Sequence, residues 1–192
     1  MMETARSRIK KALVDLLADH EFSKISVTQI CKEAKLSRVT FYLWYDGKDT
    51  LLNDYFQDIV YEGIQYYGEL RKKLSGGSIQ EDFKGLLETL FYLGNRYHEF
   101  VSHMVGDNRH EDPVLFSRFK SLDLKQVTDL VKEHSDEIVK PVSITEVSYF
   151  LSSGLGTVII NDLNAGISPA VVHEHVALLL DQVLGSGIFL TR

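Results

Sequence analysis

Cysteine is all but missing from this sequence: Cys31 stands alone, so no internal disulfide can form and the chain suits a reducing compartment. Proline is nearly as scarce, and its three positions, 113, 141 and 169, leave the first 112 residues free of helix breakers. No uninterrupted apolar run approaches the roughly 18 residues of a membrane-spanning helix, so a bilayer is not an expected partner. The N-terminal apolar run is broken by Asp15, which argues against a secretory leader. Alternating strand patterns, internal repeats and low-complexity tracts are missing too. So are H-E-x-x-H, Walker A and G-x-S-x-G motifs. The histidines do not repair the lack. His98 and His103 lie five apart, and His173 and His175 two apart, whereas two ligands on one helix face need a spacing of three or four. No metal, no cofactor and no catalytic constellation is expected.

What remains is an ordinary globular composition, 44% hydrophobic and 25% charged over 192 residues, suited to the cytoplasm. The net charge is −6, but it is unevenly spread. Residues 1–50 hold nine Lys/Arg against seven Asp/Glu, and the rest of the chain holds twelve against twenty. The N-terminal quarter is mildly basic and the remainder clearly acidic.

Periodicity predicts helix almost throughout, about nine in all. Ile9, Leu13, Leu16, Leu17 and His20 form one stripe of a first helix. Ser26 and Gln29 make an S-x-x-Q capping box that starts a short second helix at Val27. Ser37 is the expected N-cap of a third, "RVTFYLWY". A fourth begins near Lys48 and runs to "RKKL", and "SGGS" at 75–78 interrupts the pattern. Further helices are expected at about 79–95, around Phe100 to Val105, and at about 114–136, 144–163 and 169–185, with 106–113 as a polar loop. Ser168-Pro169 should open the last helix and Gly185 should close it. The last two helices are apolar on most sides. They are either central to their own bundle or covered by a second copy of the chain, and a two-fold homodimer is the favoured reading.

One segment, "LSRVTFYLWYDGKDTLL" (36–52), crowds rings, hydroxyls and cations together. On a helix, Phe41, Tyr45 and part of Trp44 share an inward arc. Arg38, Val39, Tyr42 and Leu43 share the opposite one, with Thr40 at the margin. Two short helices joined by about three residues, the second bearing such an outward face, make a helix-turn-helix. The second helix of that motif enters the DNA major groove. Arg38 suits guanine or a phosphate, Val39 a thymine methyl, and Thr40 and Tyr42 phosphate oxygens. Lys48, at the start of the fourth helix, is placed to add a cation at the backbone.

From Ile25 to Leu52, "ISVTQICKEAKLSRVTFYLWYDGKDTLL" resembles the DNA-binding domain of the TetR family of bacterial transcription regulators. Val27, Ile30, Ala34, Leu36, Ser37, Thr40, Phe41, Tyr42, Lys48, Asp49 and Leu51 carry the likeness, which spans about residues 5–55. The resemblance implies an all-α fold with a helix-turn-helix head, about 1–47, and a helical sensor and dimerisation body, about 48–192. It implies that Thr28, Ser37, Arg38, Val39, Thr40, Tyr42 and Lys48 touch DNA. Trp44 either reaches a phosphate or belongs to the core. The chain departs from the pattern at Cys31, at Lys35 in place of the turn glycine, at Tyr45 and at Gly47. The implied partners are an inverted-repeat operator, a second protomer through helices 144–163 and 169–185, and a small-molecule effector of unknown identity. Tyr61, Tyr66, Tyr67, Phe91, Tyr92, Tyr97, His103, Phe116 and Phe119 either line an effector pocket or form plain core. The implied function is a repressor released by its effector. An activator working with a protein partner, and a helical binding protein with a vestigial head, are the alternatives.

Overall fold

The computed structural model describes residues 4–73, 77–103 and 112–187. The helices among these residues are α1 (Ala5–Leu17), α2 (Val27–Glu33), α3 (Arg38–Tyr42), α4 (Lys48–Lys73), α5 (Ile79–Arg96), α6 (His98–Val101), α7 (Pro113–Glu133), α8 (Ile144–Asn164) and α9 (Pro169–Gly185). Short 3-10 turns lie at Phe22–Lys24 and Ser135–Glu137. The all-α reading holds. Parts of "SGGS" and of the expected 106–113 loop, with Met104 and Val105, lie outside the described residues.

Helix starts follow the local chemistry. Ser26 and Gln29 close the capping box of α2, and the Ser37 side chain accepts from the Thr40 N–H at the start of α3. Ser168 precedes the Pro at the first position of α9 but makes no side-chain cap. Two elements end earlier than their periodicity predicts. α1 stops at Leu17, which leaves His20 exposed rather than on the buried stripe. α3 stops at Tyr42, because the Phe41 carbonyl accepts from both Trp44 N–H and Tyr45 N–H, at 2.9 and 3.0 Å, and the chain tightens into a turn. The seventh helix is also shorter than expected and passes into the 3-10 turn at Ser135.

Lys35 takes the left-handed backbone (φ 54°) that the absence of the turn glycine forces on it, at a cost of about 1 kcal/mol. The local bonds offset that cost. Leu36 N–H bonds the Cys31 carbonyl at 2.9 Å and Lys35 N–H bonds that of Lys32 at 3.1 Å, a Schellman closure of α2. Arg8 of α1 then donates to the carbonyls of Ala34 and Lys35.

Three apolar clusters hold the chain. The first joins α1, α2 and α3 to the first turns of α4, to Phe100 of α6 and to Leu115 of α7. The second joins α5, α7, α8 and α9 around Phe83, Val131 and Leu151. A third, smaller one packs Leu87 of α5 against Val172 and Val176 of α9.

Candidate functional site

The helix-turn-helix presents one face outward. Phe41 is fully buried and Tyr45 nearly so, as the inward arc requires. Val39 is 73% exposed and Leu43 76%, with exposed Arg38 and Tyr42 beside them. Trp44 is 52% exposed, so it is a surface residue and not core. The end of α3 at Tyr42 turns it outward. Thr28 and Ser37 are exposed, and Thr40 is half-buried. The Ser37 and Thr40 hydroxyls lie 2.9 Å apart, and the Arg38 guanidinium lies 5.9 Å from the centre of the Tyr42 ring. Its hydrogen bond to Tyr42 raises the guanidinium above its ordinary value, so Arg38 is a fixed cation.

Lys48 does something sequence reasoning missed. Its ammonium donates to the carbonyls of Phe22, Ser23 and Ile25, at 2.7, 3.0 and 2.8 Å, and lies over the Phe22 ring. All three protons of a lysine are thereby occupied. Lys48 clips the 3-10 turn that sets the entry to α2, and a phosphate would compete with those carbonyls for it.

A second cluster fixes α1 and the turn after α3 on α4. Asp54 accepts from Arg6 Nε at 3.0 Å and from the Tyr45 hydroxyl at 2.6 Å, and pairs with buried Lys10 at 2.9 Å. Lys10 also pairs with Asp58. The Arg6 hydrogen bond, helped by those of Tyr45 and Lys10, holds the Asp54 carboxyl far below the usual carboxylate range against the opposing effect of burial. Burial, with the bond to Asp54, raises the Tyr45 hydroxyl. The tyrosine that replaces the pattern's Phe thus has its partner. The pairings span 9 to 48 residues of sequence, which is why local pattern does not reveal them.

The body encloses a cavity of about 580 Å³ walled by α4, α5, α7 and α8. Its lining is chiefly apolar, with Phe83, Leu90, Phe119, Leu155 and Ile159 among the walls. Of the expected pocket residues, Tyr67, Phe91 and Phe119 line it. Tyr61, Tyr66, Tyr92, Tyr97, His103 and Phe116 do not. Tyr61 is exposed, Tyr66 and Tyr92 stack at 4.0 Å, and Tyr92 and Tyr97 donate to Glu62 at 2.7 and 2.6 Å. Gly63 lets α4 approach α5 closely: a Cβ there would lie 3.0 Å from the Leu93 side chain.

α7 carries cavity-lining residues along much of its length and meets the head at its N-terminus. Buried Asp112 caps α7 through Val114 N–H at 2.9 Å and Leu115 N–H at 3.2 Å, and its other oxygen accepts from Phe22 N–H. Arg118, one turn on, bonds Asn53 of α4. On the far side, α8 and α9 keep Tyr149, Phe150, Val171, Leu178 and Leu179 exposed, opposite the buried stripe of Val172, Val176, Leu180 and Leu184. No described helix is long and apolar enough to cross a membrane.

This arrangement defines a helix-turn-helix protein. Comparison with known proteins agrees. No family model matches the chain. A stretch of 59 residues is 36% identical to the uncharacterised HTH-type transcriptional regulator YxbF of Bacillus subtilis, covering 31% of this chain and 16% of that protein. A stretch of 120 residues is 26% identical to the HTH-type dhaKLM operon transcriptional activator DhaS of Lactococcus lactis, covering 60% of this chain and 63% of that protein. The chain therefore spans less than two thirds of either curated relative. It superposes on a TetR family transcription regulator from Marinobacter aquaeolei, at a TM-score of 0.63 and 21% identity, covering 97% of this chain and 96% of that one. The chain has the TetR-family fold.

Proposed function

We propose that this protein is a homodimeric, sequence-specific DNA-binding transcription regulator of the cytoplasm, whose helical body answers to a small-molecule effector. One observation carries the reading. Arg38, Val39 and Tyr42 of α3 and Leu43 at its C-cap stand exposed together while Phe41 and Tyr45 anchor the inner side. A short helix that shows solvent two aliphatic residues, a cation and a phenol is built to meet a surface. The major groove suits that mixture. Thr28, Ser37, Thr40 and Trp44 flank it as phosphate contacts. Lys48 contributes by holding the turn, and through the α4 N-terminus beside it.

The head, about 1–47, reads one half-site of an inverted repeat. The body, about 48–192, pairs with its copy through α8 and α9, whose exposed Tyr149, Phe150, Leu178 and Leu179 are the covered face. The cavity takes the effector, and α7 links it to the head through Asp112 and Phe22. Release of DNA by the effector is the favoured sign. Activation is the second reading, supported by the similarity to DhaS, a protein described as an activator.

Selection of bound duplexes from a random library, with the mass of the protein in solution measured alongside, tests this. Enrichment of a palindrome by a species of twice the chain mass is expected. Absence of enrichment at low salt, with and without candidate effectors, would overturn the DNA-binding reading.

A further inference from the structure

The charge of the cavity wall says more about the ligand than its size does. Among the described residues that line it there is no lysine and no arginine, whereas Asp123, Asp129 and Glu133 all do. Two of these acids are already neutralised at the rim. Asp129 pairs with Lys125 at 2.7 Å and with Lys132 at 3.8 Å, and Glu133 pairs with Arg71 at 3.1 Å.

Asp123 is different. It sits on α7 facing α8, and its one hydrogen bond among the described residues comes from the Ser152 hydroxyl, at 2.5 Å. No lysine or arginine among the described residues shares the site. Burial pushes its carboxyl up from the ordinary value, and the Ser152 bond opposes that only in part. A carboxylate in an apolar wall without a counter-charge is an unfavourable arrangement in an unliganded protein. A bound cation relieves it, while a bound anion makes it worse.

We propose that the cavity binds an amphiphilic organic cation, its apolar body against the α4, α5 and α8 walls and its amine or quaternary nitrogen against Asp123. Ser152 is the positioning residue that fixes the carboxylate by holding one oxygen and leaving the other for the ligand. The volume, about 580 Å³, lies within the range of drug-sized ligand sites, and the apolar walls supply affinity while the single acid supplies selectivity. Carboxylate amphiphiles such as fatty acids are excluded on the same grounds. The inference rests on the reading of the body as a sensor, but it concerns which molecule enters.

Four probes of equal chain length separate the possibilities: dodecyltrimethylammonium, dodecylammonium, dodecanol and dodecanoate, each titrated below its micelle concentration into the full-length protein by calorimetry. Both cations should bind more tightly than dodecanol and dodecanoate, by about tenfold or more. Asp123→Asn keeps the shape and the Ser152 bond, and should bring the cations to the level of dodecanol. Ser152→Ala should lower cation affinity by a smaller factor. Because the whole chain is acidic, Glu174→Gln on the exposed surface of α9 removes the same charge elsewhere, and should leave the preference unchanged. Equal binding of all four probes, tighter binding of dodecanoate, or a cation preference that survives Asp123→Asn would overturn the proposal. The effector reading is judged separately, on the selected operator. Cation binding that depends on Asp123 but leaves DNA affinity unchanged sustains the ligand assignment and sinks the effector role. Release of DNA by an unrelated compound does the reverse.

Discussion

The two ends of this molecule solve the packing problem in opposite ways. At the head, Ile9, Leu13, Ile30 and Phe41 are wholly buried in one continuous cluster with Leu51 and Leu52 of α4, and a polar lattice around Asp54 ties α1 and the turn after α3 to α4. In the body, two clusters stand apart with a cavity of about 580 Å³ adjoining them. The contrast teaches that a reading surface and a sensing volume need different interiors. A groove-reading helix must not shift, because a small displacement misaligns every base contact. A sensor must have room to rearrange. Filling that room stabilises the body by mass action, so the looser half is the one a ligand tightens.

The sharpest way to break this comparison is a pair of truncations. Phe41→Ala in the head should cost about 3–5 kcal/mol in denaturant unfolding and abolish DNA binding. Leu90→Ala in the cavity wall should cost clearly less, because that side chain already borders a void. Equal costs would mean the two interiors are packed alike.

Next in size is the Asp54 lattice. Asp54→Asn leaves buried Lys10 with Asp58 and the backbone carbonyl of residue 54, and should destabilise the head by about 2–4 kcal/mol. The pH dependence has a definite sign. The folded carboxyl titrates below its unfolded value of about 4, so its stabilisation is present above that pH. It is lost as pH falls toward the folded value. Acid unfolding should begin in the head and should be blunted in Asp54→Asn.

Lys48→Ala should slacken the entry to α2 and weaken binding to all duplexes alike. If Lys48 also meets a phosphate, the salt slope falls by roughly one; if it is only a clip, the slope is unchanged.

The smallest effect lies in the body and has the opposite pH sign. His134 bonds Asp82 at 2.9 Å and Glu137 at 2.6 Å. Burial lowers the imidazole, but these two bonds outweigh it and raise His134 above its ordinary value. Its contribution is therefore full below a pH of about 6.5 and lost as pH rises through the folded value. Amide exchange near Ile138 should quicken over that range and stay flat in His134→Gln.

Much of this was legible in the sequence because it is local. Ser26 with Gln29 marks a helix start within four residues, and the 3.6-residue period separates Phe41 and Tyr45 from Val39 and Leu43. The period failed where the helix did. The period places Trp44 partly inward only if α3 runs to Tyr45, three residues past its end at Tyr42, where the Phe41 carbonyl accepts two turn bonds. The aromatic list for the pocket failed for another reason: Glu62, about 30 residues away, claims two of its tyrosines. Asp123, Lys10 and the bond from Phe22 to Asp112 gave no signal at all, since each depends on a partner 29 to 90 residues distant.

The bond between Asp112 and Phe22 has one more consequence. Asp112 grips a backbone N–H, not a side chain, and every residue except proline offers one. This bond is thus blind to which amino acid occupies position 22, although the buried Phe22 ring adds packing of its own in the cluster that reaches Leu115 of α7. A foreign head on this body can keep this bond whenever it places a peptide group at that point, but it would still have to match the apolar cluster and the Asp54 lattice. Asp112→Ala, which removes the acceptor and leaves the Phe22 ring in place, should loosen the junction without altering the residues of α3 or the cavity lining.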